Sequence, residues 1–305
     1  MTAPVSFISP LSITSSMITS STAVKKLAGE AEWSATGDYV VGTVVFRTTL
    51  GRRFENQIPG VNATPPEDDQ DRWYDLGATD KTTMFDSEVS TESIASDILT
   101  VVFRPGAFNA MFLAGIRDGA TLEITAREAP GGPVYFNHFE SLEDSEPADY
   151  YEYYYSGFKP KTDFLVTDLH PFASCEVTIS IANPGGAVGC GMACLGDLVS
   201  VGGPALRGVT VEPKSYARIT TDDRGKTRVK KGKAARDLTA SALVPREMAD
   251  EVTEALEGVL GVPSVWLVTN SRTSRTLRSF GLGKGKLTYD KVDYATLNLT
   301  VEGMI

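Results

Sequence analysis

Short runs that alternate apolar and polar residues recur along most of this chain, punctuated by Gly, Pro or Asp. Alternation with a period of two puts successive side chains on opposite faces and predicts half-buried strands. Between 79 and 203 the runs SDILTVVFRPG, AFNAMFLAGI, ATLEITARE, GPVYFNHFE, DFLVTDL, CEVTISIANPG and AVGCGMACLGDLVSV each hold one strand of about five to eight residues. Their even spacing predicts a sandwich or jelly roll rather than βαβ units. Residues 31–78 form a compact, aromatic, turn-rich segment, with runs at 39–46 and 53–57 flanking a Leu50-Gly51 turn as in a hairpin.

From about 204 the pattern changes. GVTVEPKSYARITTD, KTRVKK, ARDLTASALV, SVWLVT, TLRSFGL and ATLNLTVEGMI read as strands, and Gly-Lys-Gly-Lys at 283–286 as a turn. PREMADEVTEALEGVLG reads as a helix. Pro245 suits its first turn, and Glu247, Asp250 and Glu251 lie near its positive end. Met248, Val252, Leu256, Val259 and Leu260 share one face at helical spacing, which predicts packing on a sheet. The first 30 residues are apolar and rich in Ser and Thr, and read as an extended arm. The expected organisation is mainly β: an arm over 1–30, a small aromatic β module over 31–78, a β-sandwich or jelly-roll domain over 79–203, and an α+β domain with one main helix over 204–305.

Composition is that of an ordinary globular protein: 305 residues, 42% hydrophobic and 22% charged. The formal net charge of −10 argues against wrapping nucleic acid. No stretch of about 18–20 apolar residues is present, so no membrane insertion is expected. Lys25 and Lys26 follow the apolar N-terminal stretch, whereas a signal peptide places its charge first. Cys175, Cys190 and Cys194 are odd in number and read as small buried thiols, which fits synthesis in a reducing compartment.

Signatures of catalysis are missing. The sequence holds no G-x-G-x-x-G, P-loop, H-E-x-x-H, G-x-S-x-G or EF-hand loop. With only His138 and His170, neither a zinc shell for Cys190 and Cys194 nor a histidine base is well supplied. The acidic run Glu67, Asp68, Asp69 and Asp71 reads as a solvated loop, with a cation site as the alternative. No enzyme activity, cofactor or metal is expected.

Trp33, Gly37, Tyr39, Gly42, Phe54, Pro65, Pro66 and Trp73 form a W-x3-G-x-Y-x2-G…F…PP…W series. It resembles the small chitin-binding type of carbohydrate-binding module, and the resemblance spans about 50 residues. It implies a glycan site on Trp33, Tyr39, Trp73 and Tyr74, with exposed rings stacking on sugar faces; the competing reading makes Trp33, Tyr39 and Trp73 the core of a small domain. A broader resemblance covers most of the chain. The Tyr-x-x-Gly module, Trp73 to Thr79, Met84-Phe85-Asp86, a β-sandwich and a C-terminal part with Val262 to Trp266 and Phe280-Gly281 are similar in order to tail, baseplate and neck proteins of tailed bacteriophages. That resemblance implies a virion subunit whose partners are other virion proteins and copies of itself. The alternative is a host-attachment module binding a surface glycan.

Two further features fit an assembly part. Seven basic side chains fall between Arg224 and Arg236, with Arg228 and Lys230 on one strand face; these suit either a charged edge strand or docking on an acidic neighbour. YYEYYYSGF at 150–158 holds five tyrosines, and Tyr151, Tyr153 and Tyr155 are candidate subunit contacts. The arm, with Phe7, Ile8 and Leu11, is expected to lie across a neighbour.

Overall fold

The computed structural model describes residues 4–23, 30–79, 81–86, 91–144, 154, 159–205, 208–221, 227–230, 234–269, 275–289 and 291–304. The chain opens with β1 (Pro4–Pro10) and β2 (Ile18–Ser21). The aromatic segment holds β3 (Ala31–Glu32), β4 (Asp38–Tyr39), β5 (Val44–Arg47), β6 (Arg52–Asn56), β7 (Gly60–Val61) and β8 (Trp73–Ala78). Next come β9 (Ser93–Phe103), β10 (Ala110–Ala114), β11 (Thr121–Arg127), β12 (Val134–Ser141), β13 (Glu143–Asp144), β14 (Lys159–Pro160), β15 (Asp163–Val166), β16 (Glu176–Cys190) and β17 (Met192–Pro204). The last third carries β18 (Thr210–Ser215), β19 (Arg218–Thr221), β20 (Thr227–Lys230), β21 (Ala234–Pro245), α1 (Ala249–Gly258), β22 (Ser264–Leu267), β23 (Arg278–Thr288) and β24 (Tyr294–Gly303). The protein is mainly β, and α1 is its one α-helix among the described residues.

Two sheets make the body. One has nine strands in the order β15-β10-β17-β1-β22-β23-β24-β21-β18, and the other five, β12-β11-β16-β9-β2. Alternation works as expected in the sandwich. Leu99, Val101 and Phe103 of β9, Leu122 and Ile124 of β11, and Val177, Ile179 and Ile181 of β16 turn inward, meeting Met111, Leu113, Phe164, Val166 and Leu195 of the larger sheet in one core. A second core lies under α1, where Val252, Leu256 and Val259 pack on Phe7, Trp266, Leu238, Leu297 and Leu299. The large sheet curls in this half, and an isolated bridge joins Ala205 to Ala242.

The N-terminal segment is not an arm. β1 is an interior strand of the nine-stranded sheet, fourth in its order, pairing Phe7 with Val199 of β17 on one side and with Trp266 of β22 on the other. Val5, Phe7 and Ile8 are fully buried, and β2 extends the other sheet by pairing with β9. Its Ser and Thr residues masked a strand whose two neighbours come from regions about 200 and 260 residues downstream. The expected 203/204 boundary falls at the end of β17, and the large sheet runs on past it, so sandwich and helical half share one sheet.

Three local expectations are corrected. Gly283-Lys-Gly-Lys286 is not a turn but the interior of β23. A Cβ on Gly283 would overlap the Trp266 ring, and one on Gly285 would press on Leu256 at 2.6 Å, so these glycines admit Trp266 and α1. Asn183-Pro184-Gly185-Gly186 does not end a strand. It is an irregularity inside β16, between the Ala182 and Ala187 registers, and Gly185 takes φ +82 there. In the helix, Pro245 closes β21, a 3₁₀ turn at Arg246–Met248 precedes α1, and Met248 and Leu260 are exposed.

Candidate binding surface of the aromatic module

The module is a four-stranded sheet, β3-β5-β6-β8, with β4 and β7 paired beside it. Its β5–β6 hairpin turns through Gly51, at φ +66. The turn is pinned to the body by Thr82, whose hydroxyl donates to the Gly51 carbonyl at 2.7 Å, while the Thr79 N–H donates to the same oxygen at 2.7 Å.

One face of this sheet is the module's core: Val45, Phe54 and Trp73 are buried, with Trp33 and Tyr39 packed against them. The Tyr39 and Trp73 rings meet edge-on at 5.3 Å, and the Tyr39 oxygen accepts from the Ser34 N–H at 2.7 Å. Asn56 is fully buried; its amide donates to the carbonyls of Tyr39 and Val40, and it accepts from Arg72 Nε at 3.2 Å. Arg47 lies over the Trp33 ring at 4.8 Å and pairs with Glu67 at 2.7 Å.

Trp73 and Tyr74 therefore do not form an exposed aromatic pair. Adjacent residues of a strand point to opposite faces, so Trp73 is 2% exposed and Tyr74 62%. Of the four candidate glycan-binding residues, Trp33, Tyr39 and Trp73 belong to the module's core, and Tyr74 alone is exposed.

A groove of about 440 Å³ runs beside β8, lined among others by Trp73, Tyr74, Arg52, Asp75, Glu67 and Gln70. Two of its lining groups are buried with no hydrogen-bond partner: the indole Nε1 of Trp73 and Oε2 of Glu67. Arg47 Nε and the Trp33 indole nitrogen, elsewhere in the module, are in the same condition. Buried polar atoms are almost always paired, and leaving one unmet costs about 1–3 kcal/mol. The module also exposes apolar side chains: Val40, Val41, Ile58 and Val61 around the β4–β7 pair, and Leu76 beside Tyr74 on β8.

Elsewhere, the expected sites are dispersed. Tyr151, Tyr153 and Tyr155 lie outside the described residues; the flanking Asp144 and Lys159 are paired with each other. Arg228 and Lys230 stand in a two-stranded ribbon, opposite Thr220 and Arg218. Glu67 and Asp69 of the acidic run are tied up locally, Asp69 accepting from Asn62 at 2.6 Å. No group of three His, Cys, Asp or Glu is placed to hold a metal ion among the described residues.

His138 meets Glu140 at 3.2 Å, and Lys161 meets it at 2.7 Å. Burial pushes the Glu140 carboxyl up, but these hydrogen bonds outweigh it and hold it below its ordinary value. The cysteines are buried; burial pushes Cys175 up to about 11 and Cys190 and Cys194 to about 12. Arg47 and Gln70 escaped the sequence reading, Arg47 because it ends a strand just past the 39–46 run and Gln70 because it sits in a turn-rich stretch without periodicity; Glu67 was read only as part of a solvated acidic loop.

No known protein family and no curated protein matches the chain. Among solved structures it is similar to the F5/8 type C domain of a Bacteroides fragilis protein, at 14% identity and a TM-score of 0.25, over 39% of this chain and 80% of that one.

Proposed function

We propose that the chain is a non-catalytic structural subunit of a tailed-phage virion, in its tail, baseplate or neck, with the 31–78 module as its docking face. The observation that carries the docking role is the exposure of Val40, Val41, Ile58, Val61, Tyr74 and Leu76 on a module with only three buried hydrophobic residues. Exposed apolar surface rimmed by polar groups is characteristic of contact sites. The order of sequence features supports the virion assignment. Fractionating lysate of the source on a density gradient, with quantitative mass spectrometry, tests it. Co-migration with particles at a fixed low ratio to the capsid protein is expected; absence from particles sinks the reading.

A second reading, glycan attachment, is favoured by the groove. Sugar hydroxyls both donate and accept, so one ligand would meet Arg52, Gln70 and Asp75 of its lining while stacking on the exposed Tyr74 ring. Titration with chitin oligosaccharides is expected to give binding that Tyr74→Ala weakens about tenfold, the loss of one stacking contact. Heat-free titrations of the intact chain would remove this reading.

A further inference from the structure

The two main sheets have four edges, and three are protected in recognisable ways. β2 and β15 are four residues each, and β18 carries Glu212, Pro213 and Lys214. Short length, proline and lysine all discourage strand addition.

β12 differs. It is eight residues long, VYFNHFES, with no proline, lysine or arginine, and it pairs with β11 on one side only among the described residues. A bulge opposite Ala126 and Arg127 disturbs only its beginning. The Leu142 N–H donates to the Ala120 carbonyl at 2.9 Å in register with the β11–β12 ladder. Alternation from that bond sets Phe136, His138 and Glu140 toward β11 and turns the N–H and C=O groups of Asn137 and Phe139 outward. The Phe139 side chain is 66% exposed.

We propose that β12 is a contact edge between two copies of this chain, joined antiparallel across a two-fold axis so that two five-stranded sheets become one of ten. Charge selects the occupant. The edge's one carboxylate, Glu140, is matched by Lys161 at 2.7 Å and hydrogen-bonded to His138, so a strongly acidic or basic partner gains nothing there. A second copy brings a net charge of −10, which opposes association across most of its surface but not along this neutral strand. An antiparallel two-fold contact is also self-complementary, each strand supplying the donors and acceptors the other lacks.

Sedimentation velocity of the full chain over a range of concentrations tests this, with Phe139→Lys and Asn137→Pro as variants. Lysine at an exposed edge position repels its own copy, and proline removes an outward donor without touching the β11 ladder. A concentration-dependent dimer is expected, weakened at least about tenfold in both variants with unchanged circular dichroism. A monomer at every concentration overturns the proposal, as does a dimer of unaltered affinity in both variants. Slow hydrogen exchange at Asn137 and Phe139 in monomeric chain also overturns it, by showing that the chain covers its own edge.

Discussion

Trp73 and Tyr74 are neighbours in sequence and opposites in environment, and their substitutions should separate core from surface. Trp73→Ala empties a fully buried ring site and is expected to cost about 3–5 kcal/mol in denaturant unfolding, whereas Tyr74→Ala should stay within about 0.5 kcal/mol. The sequence showed that these aromatics matter but not which way each faces, because the strand phase depends on the β6–β8 register. The buried thiols give a pH signature. Cys190 and Cys194 keep their protons in the folded state up to about 12, against an ordinary 9.0. The unfolded chain loses them first, so this stability is complete below about pH 9 and falls as pH rises toward 12. Cys190→Ala should flatten that decline, read as unfolding midpoints at about pH 8 and about pH 10.5; an unchanged slope would contradict it.

At the scale of elements, alternation located most strands of the sandwich, because strands with one buried face write their period into the sequence. It failed where other forces rule. β1 is buried on both faces, so its short apolar run lacks alternation, and its partners are far away in sequence. Deleting residues 2–24 is therefore expected to abolish the cooperative unfolding transition and not merely weaken an assembly; a truncated chain that melts like the full one would refute the interior position of β1. β23 was obscured by glycines whose reason is a tryptophan 17 residues upstream of Gly283. Gly283→Ala should cost about 1–3 kcal/mol by forcing Trp266 aside, measured by thermal unfolding.

In the whole molecule the two halves are tied across the large sheet by Asp163 of β15, which pairs with Arg275 at 2.9 Å and Arg278 at 3.1 Å. The Arg278 side chain is 3% exposed, so Asp163→Asn is expected to destabilise the fold by about 2–3 kcal/mol. Nothing in the sequence marked this lock, since its members are more than 110 residues apart and carry no periodic signal. Fold class was legible because it rests on local period, while the shared sheet and the groove rest on pairing between distant segments. The proposed role places the contact surface on the small module and the stability in the body. The most direct test is incorporation of a Val40→Ser, Val41→Ser, Tyr74→Ser chain into particles in place of the wild type, after circular dichroism confirms its fold. The account predicts a folded chain that is left out of the particles; normal incorporation would contradict it.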